Sequence, residues 1–275
     1  MKKFTLIGGK LGHSLSPQIH EKLFALRGRE ASYDLTELTE DELTLNIGKL
    51  RELNGFNVTI PHKLRVMNFM EELDRTAKLY GAVNCVANKD GRLIGYNTDC
   101  DGFLLSADAM GAKLSGRVLL IGCGGVGRMI AIASSIREAD LTIQVLESDM
   151  PVAESVVSEI KNNDPAARVK LITAEGKHQD HYDLLVNATP VGMFPNVDAC
   201  PVSDELIEHS DAVFDVIYNP LETQLIKKAK ALGKSAENGM AMLVWQAVSA
   251  HKIWDGDEYT EDEVRKIIGE VSGLI

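Results

Sequence analysis

The sequence predicts an α/β protein of two units, the first of them discontinuous along the chain. Three observations carry this reading. Short β-type runs alternate with helical patterns from end to end, as in folds whose helices cross between strands. A glycine-rich turn, Gly122-Cys123-Gly124-Gly125-Val126-Gly127, joins a buried-type strand to an apolar helix. Beyond Gly239 the pattern becomes helical through Met240, Leu243, Val244, Ala247, Val248 and His251, a tail expected to pack back on the first unit. The expected units are residues 1–101 completed by 240–275, with 102–239 between them.

Phe4–Ile7 reads as the first strand. A helix is expected after Ser16-Pro17, because Ser can cap it and Pro is tolerated at its first position; it runs through Ile19, Leu23, Phe24 and Leu26 toward Gly28. A strand at Ser32–Leu35, a helix over 40–50 and a strand at Gly55–Thr59 follow. Pro61 ends that strand, and Leu64, Met67 and Met70 have helical spacing. Ala82–Ala87 and Arg92–Tyr96 form strands joined by the turn Asn88-Lys89-Asp90-Gly91, and a helix over 99–110 leads onward. In the second unit, strands are expected at Arg117–Ile121, Leu141–Leu146, Val169–Ile172, Leu184–Asn187 and Val213–Val216, in a βαβ-based, mostly parallel sheet.

With 40 acidic against 29 basic side chains, the formal net charge is −11. Such a surface repels nucleic acid and offers no polybasic patch to anionic lipid. No stretch approaches the roughly twenty apolar residues of a membrane span, and the apolar run near Met1 is too short for a signal peptide. A cytoplasmic location is expected. Cys85, Cys100, Cys123 and Cys200 are widely spaced and the seven His scattered, so no structural metal is expected. The periodicities do not distinguish a monomer from a homodimer.

The glycine turn fits Gly-x-Gly-x-x-Gly. Gly122 permits the tight turn, Gly124 lets a pyrophosphate approach the backbone, and Gly127 permits close helix–strand packing, while the helix N-terminus, with Gly125 and Val126, supplies N–H groups. A nicotinamide dinucleotide site of the Rossmann type is the functional reading; glycines serving packing alone are the alternative. Glu147 lies twenty residues beyond Gly127, where an acidic side chain accepts hydrogen bonds from an adenosine ribose diol. No Arg or Lys lies between Ala139 and Met150 to meet a 2′-phosphate, so local electrostatics favour NAD over NADP. Asp149 is an alternative acceptor, and a solvent-facing Glu147 the plainer reading.

Polar clusters gather in the first unit. Ser14 and Ser16 present hydroxyls on alternate residues beside a helix start, suited to a carboxylate or, more plainly, to capping. Asn57 and Thr59 share one side of a strand end, with Lys63 just beyond; Asn84 lies in an apolar run where an unpaired amide is costly; Asn97-Thr98-Asp99 closes the set. Hydroxyl and amide groups of this kind suit a polyhydroxylated acid, and Lys63 with Asp99 suits proton transfer at a carbonyl, unless the two form only a structural ion pair.

His13-Ser14-Leu15-Ser16-Pro17-Gln18-Ile19-His20, Asn57-Val58-Thr59-Ile60-Pro61-His62-Lys63, Gly81-Ala82-Val83-Asn84 and Gly95-Tyr96-Asn97-Thr98-Asp99 resemble, in this order, the motifs of the shikimate dehydrogenase family. The resemblance covers nearly the whole chain. It implies that Ser14 and Ser16 bind the substrate carboxylate, that Thr59, Lys63, Asn84, Asp99 and Gln246 surround the ring hydroxyls, and that Lys63 and Asp99 are the catalytic pair. It further implies a cofactor loop at 187–193, with Asn187, Thr189 and Met193, a Tyr218 that approaches the substrate, and Gly239 near the nicotinamide. The implied reaction is reversible reduction of 3-dehydroshikimate to shikimate, on the way to chorismate and aromatic amino acids. Three departures stand out: His62 replaces an aromatic, Cys123 takes a small-residue slot, and Glu147-Ser148-Asp149 replaces the Arg-bearing cluster of NADP-linked members. The last resembles NAD-using shikimate/quinate relatives, so the alternatives are a quinate or aminoshikimate dehydrogenase of a catabolic or side pathway and, more remotely, a non-catalytic nicotinamide-binding sensor.

Overall fold

The computed structural model describes residues 1–275. The chain divides into two compact units, Met1–Gly102 with Leu243–Leu274, and Phe103–Met242. No helix is long and apolar enough to cross a membrane.

The first unit runs β1 (Lys2–Gly8), α1 (Ser16–Leu26), β2 (Ala31–Glu37), α2 (Glu40–Leu50), β3 (Gly55–Val58), β4 (Glu72–Leu73), α3 (Arg75–Tyr80), β5 (Cys85–Lys89), β6 (Arg92–Tyr96) and the start of α4 (Asp99–Ala109). Its sheet has the order β2-β1-β3-β5-β6-β4. β1 pairs with β2 and β3 in parallel, whereas β5 is antiparallel to both β3 and β6. Alternation along β1 sends Phe4 and Leu6 to one face and Ile7 to the other. The first face is covered by Phe24 of α1 and Trp254, the second by Leu43 and Leu50 of α2 and by Val66.

The second unit continues with β7 (Arg117–Ile121), α5 (Gly125–Ile136), β8 (Asp140–Val145), α6 (Met150–Asn163), β9 (Arg168–Thr173), β10 (Tyr182–Asn187), α7 (Asp204–Glu208), β11 (Ser210–Asp215), α8 (Gln224–Ala231) and β12 (Ser235–Asn238). The expected parallel sheet is present: all pairs are parallel, in the order β12-β11-β10-β7-β8-β9. The central strand β7 is covered on both faces, and its apolar run Val118–Ile121 is buried at every position. The order in which strands are added reverses between the parallel neighbours β7 and β10, the switch point at which doubly wound sheets open a crevice. α9 (Gly239–Asp255) begins in this unit and α10 (Glu261–Ser272) completes the first.

Several expectations need correction. The segment after Pro61 makes only a short 3₁₀ turn over Arg65–Phe69 before β4 pairs with β6. In the β5–β6 hairpin, Asn88 and Lys89 belong to the strand, leaving a two-residue turn in which Asp90 and Gly91 have φ of 54° and 85°. Ser16 does not cap α1: Leu15 holds the cap position without a side-chain hydrogen bond, and Ser16 is buried.

Candidate active site

In the first unit, β3 and the residues after it deliver Asn57, Thr59 and Lys63, while the start of α4 delivers Asp99. Lys63 Nζ donates to Asp99 Oδ2 at 2.6 Å. Asn84 Nδ2 donates to the other oxygen, Asp99 Oδ1, at 2.8 Å and to Thr98 Oγ1 at 3.0 Å. Asn84 Oδ1 in turn accepts from Thr98 N at 2.7 Å. The buried amide that would be costly unpaired is therefore saturated, and its role is to aim the carboxylate. Lys63 keeps two of its three donors, and the pair is about one-quarter and one-fifth exposed, open to a ligand. Thr98 Oγ1 lies 3.4 Å from Gln246 Oε1 of α9, whose Nε2 donates to Leu243 O at 2.9 Å.

The hydroxyl pair lies on the same network. Ser14 Oγ donates to Ser16 Oγ at 3.2 Å and accepts from Ser16 N at 3.3 Å. Burial pushes the pKa of the neighbouring Tyr33 hydroxyl well up, and the Ser16 side chain that faces it offsets part of the rise. Tyr33 donates to Asn57 Oδ1 at 2.8 Å, and Asn57 Nδ2 donates to Asn84 O at 3.1 Å. The Ser14/Ser16 pair and the Lys63/Asp99 pair are thus joined by a largely buried relay. Thr59 is half-buried beside Gly8; a Cβ there would meet its Cγ2 at 2.5 Å. His62 faces away: its Nε2–H donates to Leu38 O at 2.8 Å, so it serves packing.

In the second unit, β7 leads into the glycine turn. Gly122 has φ of 90°, a conformation other residues rarely adopt. A Cβ on Gly127 would collide with Gly122 O, whereas Gly124 faces open space. Gly124 occupies the cap position of α5 and supplies no side-chain acceptor, so the first N–H groups of the helix, from Gly125 and Val126 onward, are available to an anion. These features fit a dinucleotide pyrophosphate. Cys123 is buried, which pushes its thiol up to about 11 and suits it to packing. Glu147 is exposed in the short turn after β8, with Ser148 and Asp149 exposed beside it.

At the end of β10, Asn187 Oδ1 accepts from Thr189 N at 3.0 Å and Thr189 Oγ1 at 2.7 Å. Met193 is 44% exposed and Tyr218 half-buried in the loops that follow β10 and β11. Gly239 N donates to Ile217 O at 3.0 Å. Tyr33, which links Ser16 to Asn57, and Asp215, which holds Asn187, escaped the sequence reading as members of these networks. An Asp closing the apolar run Ala212-Val213-Phe214 was the available signal for the second.

Residues 6–86 match the profile described as the shikimate dehydrogenase substrate binding domain. The chain is 39% identical to "Shikimate dehydrogenase (NADP(+))" of Geobacillus kaustophilus, covering 98% of each protein. A solved structure of shikimate 5-dehydrogenase from Thermus thermophilus in complex with NADP(H) and shikimate superposes with a TM-score of 0.86 at 29% identity, covering 98% of this chain and 100% of that one. The Listeria monocytogenes enzyme in complex with shikimate and NAD gives 0.86 at 30% identity, covering 98% and 96%. This chain belongs to the shikimate dehydrogenase family.

Proposed function

We propose that this protein catalyses the reversible, nicotinamide-dependent interconversion of shikimate and 3-dehydroshikimate. The observation that carries the reading is the Lys63–Asp99 contact, aimed by Asn84 and linked through Asn57 and Tyr33 to the Ser14/Ser16 hydroxyls. Ser14 and Ser16 take the substrate carboxylate; Thr59, Asn84, Asp99 and Gln246 take ring hydroxyls, with Tyr218 as a further substrate contact. A bound nicotinamide dinucleotide supplies or accepts the hydride. In the reducing direction, Lys63 donates the proton to the developing alkoxide oxygen; in the oxidising direction it accepts it, with Asp99 holding the ammonium in place. Residues 1–101 and 240–275 serve as the substrate domain, and 102–239 as the cofactor domain. In the latter, the glycine turn from Gly122 to Gly127 takes the pyrophosphate, and Asn187, Thr189, Met193 and Gly239 line the cofactor.

The coenzyme is proposed to be NAD. Glu147 and Asp149 are exposed carboxylates after β8, and an acidic side chain at this spacing from the glycine turn favours a ribose diol over a 2′-phosphate. The Geobacillus relative is named for NADP, and the Listeria structure holds NAD. Initial velocities of shikimate oxidation with NAD and NADP, each titrated separately with quinate in parallel, test both proposals. The expected outcome is turnover of shikimate over quinate and higher kcat/KM with NAD. Clear preference for NADP would overturn the role given to Glu147, and preference for quinate would overturn the substrate.

A further inference from the structure

Asp215 closes β11 fully buried and without an ion pair. Its Oδ1 accepts from Asn187 Nδ2 at 3.0 Å and from Ile217 N at 3.1 Å, and its Oδ2 accepts from Thr223 Oγ1 at 2.7 Å. A carboxylate out of water is costly even with three donors, and an apolar residue or an amide would close a strand at lower cost. Burial accordingly pushes its pKa up to about 6, against the pull of the Thr223, Ile217 and Asn187 donors.

What the charge supplies is strength, in three charge-assisted hydrogen bonds. An ionised carboxylate only accepts, so it holds the Asn187 NH₂ in the same sense as Val191 O at 3.4 Å and the Thr189 N–H, which together turn the amide carbonyl toward Thr189. That carbonyl receives both the N–H and the hydroxyl of Thr189. Thr189 abuts the glycine turn, since a Cβ on Gly122 would lie 2.6 Å from Thr189 Cγ2. Through Ile217 N the same carboxylate sets the Val216–Ile217 backbone, against which Gly239 packs so closely that a Cβ there would collide with Val216 O. One buried group therefore orders three segments, at the ends of β7, β10 and β11.

We propose that Asp215 is a positioning residue for dinucleotide binding, acting through Asn187 and Thr189 on the glycine turn and through Ile217 on Gly239. This rests on the second unit being the dinucleotide site. An amide at 215 would replace the charge-assisted bonds from Asn187, Ile217 and Thr223 with weaker neutral ones and loosen all three segments, while removing a costly buried charge.

The test is calorimetric titration of the full chain with NAD and NADP, beside thermal melts and steady-state kinetics, for the wild type, Asp215→Asn and Thr223→Val. Asp215→Asn is expected to weaken dinucleotide binding about tenfold, as for the loss of one hydrogen bond to a charged group. The shikimate KM stays within about twofold, and the thermal midpoint is equal or higher because the buried charge is gone. Thr223→Val, which keeps the carboxylate but removes one donor and the N-cap of α8, weakens binding in the same direction by a smaller factor while leaving the shikimate KM within about twofold. Unchanged dinucleotide affinity in Asp215→Asn overturns the proposal. So does weaker affinity accompanied by a lower melting point and an equal rise in shikimate KM, the pattern of a merely structural residue. If Asp215→Asn does not fold, unchanged affinity in Thr223→Val overturns it. A wild type that binds neither dinucleotide defeats the functional reading itself, which is distinct from a wild type and Asp215→Asn that bind alike.

Discussion

Lys63 and Asp99 cannot separate without breaking a charge-assisted hydrogen bond, and Asp99 cannot turn without releasing Asn84. A proton donor fixed in this way acts on the reaction more than on binding. Lys63→Ala is expected to lower kcat by about 10²- to 10⁴-fold with a smaller change in the shikimate KM. Ser14→Ala should do the reverse, raising KM roughly tenfold through loss of a hydrogen bond to a carboxylate. Steady-state kinetics separate the two, and normal turnover in Lys63→Ala would remove Lys63 from its role. At this scale the sequence is informative about which polar side chains gather in one network and poor about which way they face. Nothing in the order of residues shows that the His62 imidazole turns away to the Leu38 carbonyl, or that the Ser16 hydroxyl turns to Tyr33 rather than to a helix N–H.

Helices α1 and α9 meet at a pair of buried imidazoles. His20 Nδ1 and His251 Nε2 are 3.0 Å apart, and His251 Nδ1 lies 3.0 Å from the Tyr259 hydroxyl, which donates to Leu23 O. Tyr259 must therefore accept from His251, and His251 from His20; this leaves His20 Nε2 as an unpartnered acceptor. Desolvation holds both pKa values down, that of His251 to about 3 despite Asp257, with Arg29 adding to the fall. Between about 6.5 and 3 the unfolded chain binds protons that the folded one refuses, so stability falls as pH drops through this window. For His251 alone the loss is about 2 kcal/mol at pH 5. Melting curves across pH 7 to 4 should show a shallower fall in His251→Gln than in the wild type; an identical slope would sink this account. Elements with strong local signals, such as β7, α5 and β8, were legible in the sequence. β4 and α3 were not, because a two-residue strand defined by pairing with β6 and a six-residue helix capped by Asp74 have too little periodicity of their own.

Across the whole molecule, binding that favours the folded state must appear as stability. A dinucleotide present at about a hundred times its dissociation constant contributes about 2.7 kcal/mol, a rise of several degrees in melting temperature. A scan with NAD, with NADP and with neither ranks the coenzymes without turnover; no rise with either would count against the site on the glycine turn. The α/β class was legible because alternating patterns are repeated along the chain. The antiparallel placement of β5 between β3 and β6 was not, because pairing between distant segments leaves no local trace. The relay from Ser16 to Asp99 depends on that placement and stayed hidden with it. The discontinuity of the first unit also has a consequence in time. Trp254 donates from Nε1 to Val86 O and packs on Gly55, where a Cβ would meet the indole nitrogen at 2.5 Å. Between the synthesis of β6 and the arrival of this indole, a ribosome must add the entire second unit, an interval of roughly ten to thirty seconds at ordinary elongation rates. During it, the Phe4 face of the first sheet lacks its α9 cover, so the nascent chain is most exposed to proteases and most in need of chaperones midway through its own translation.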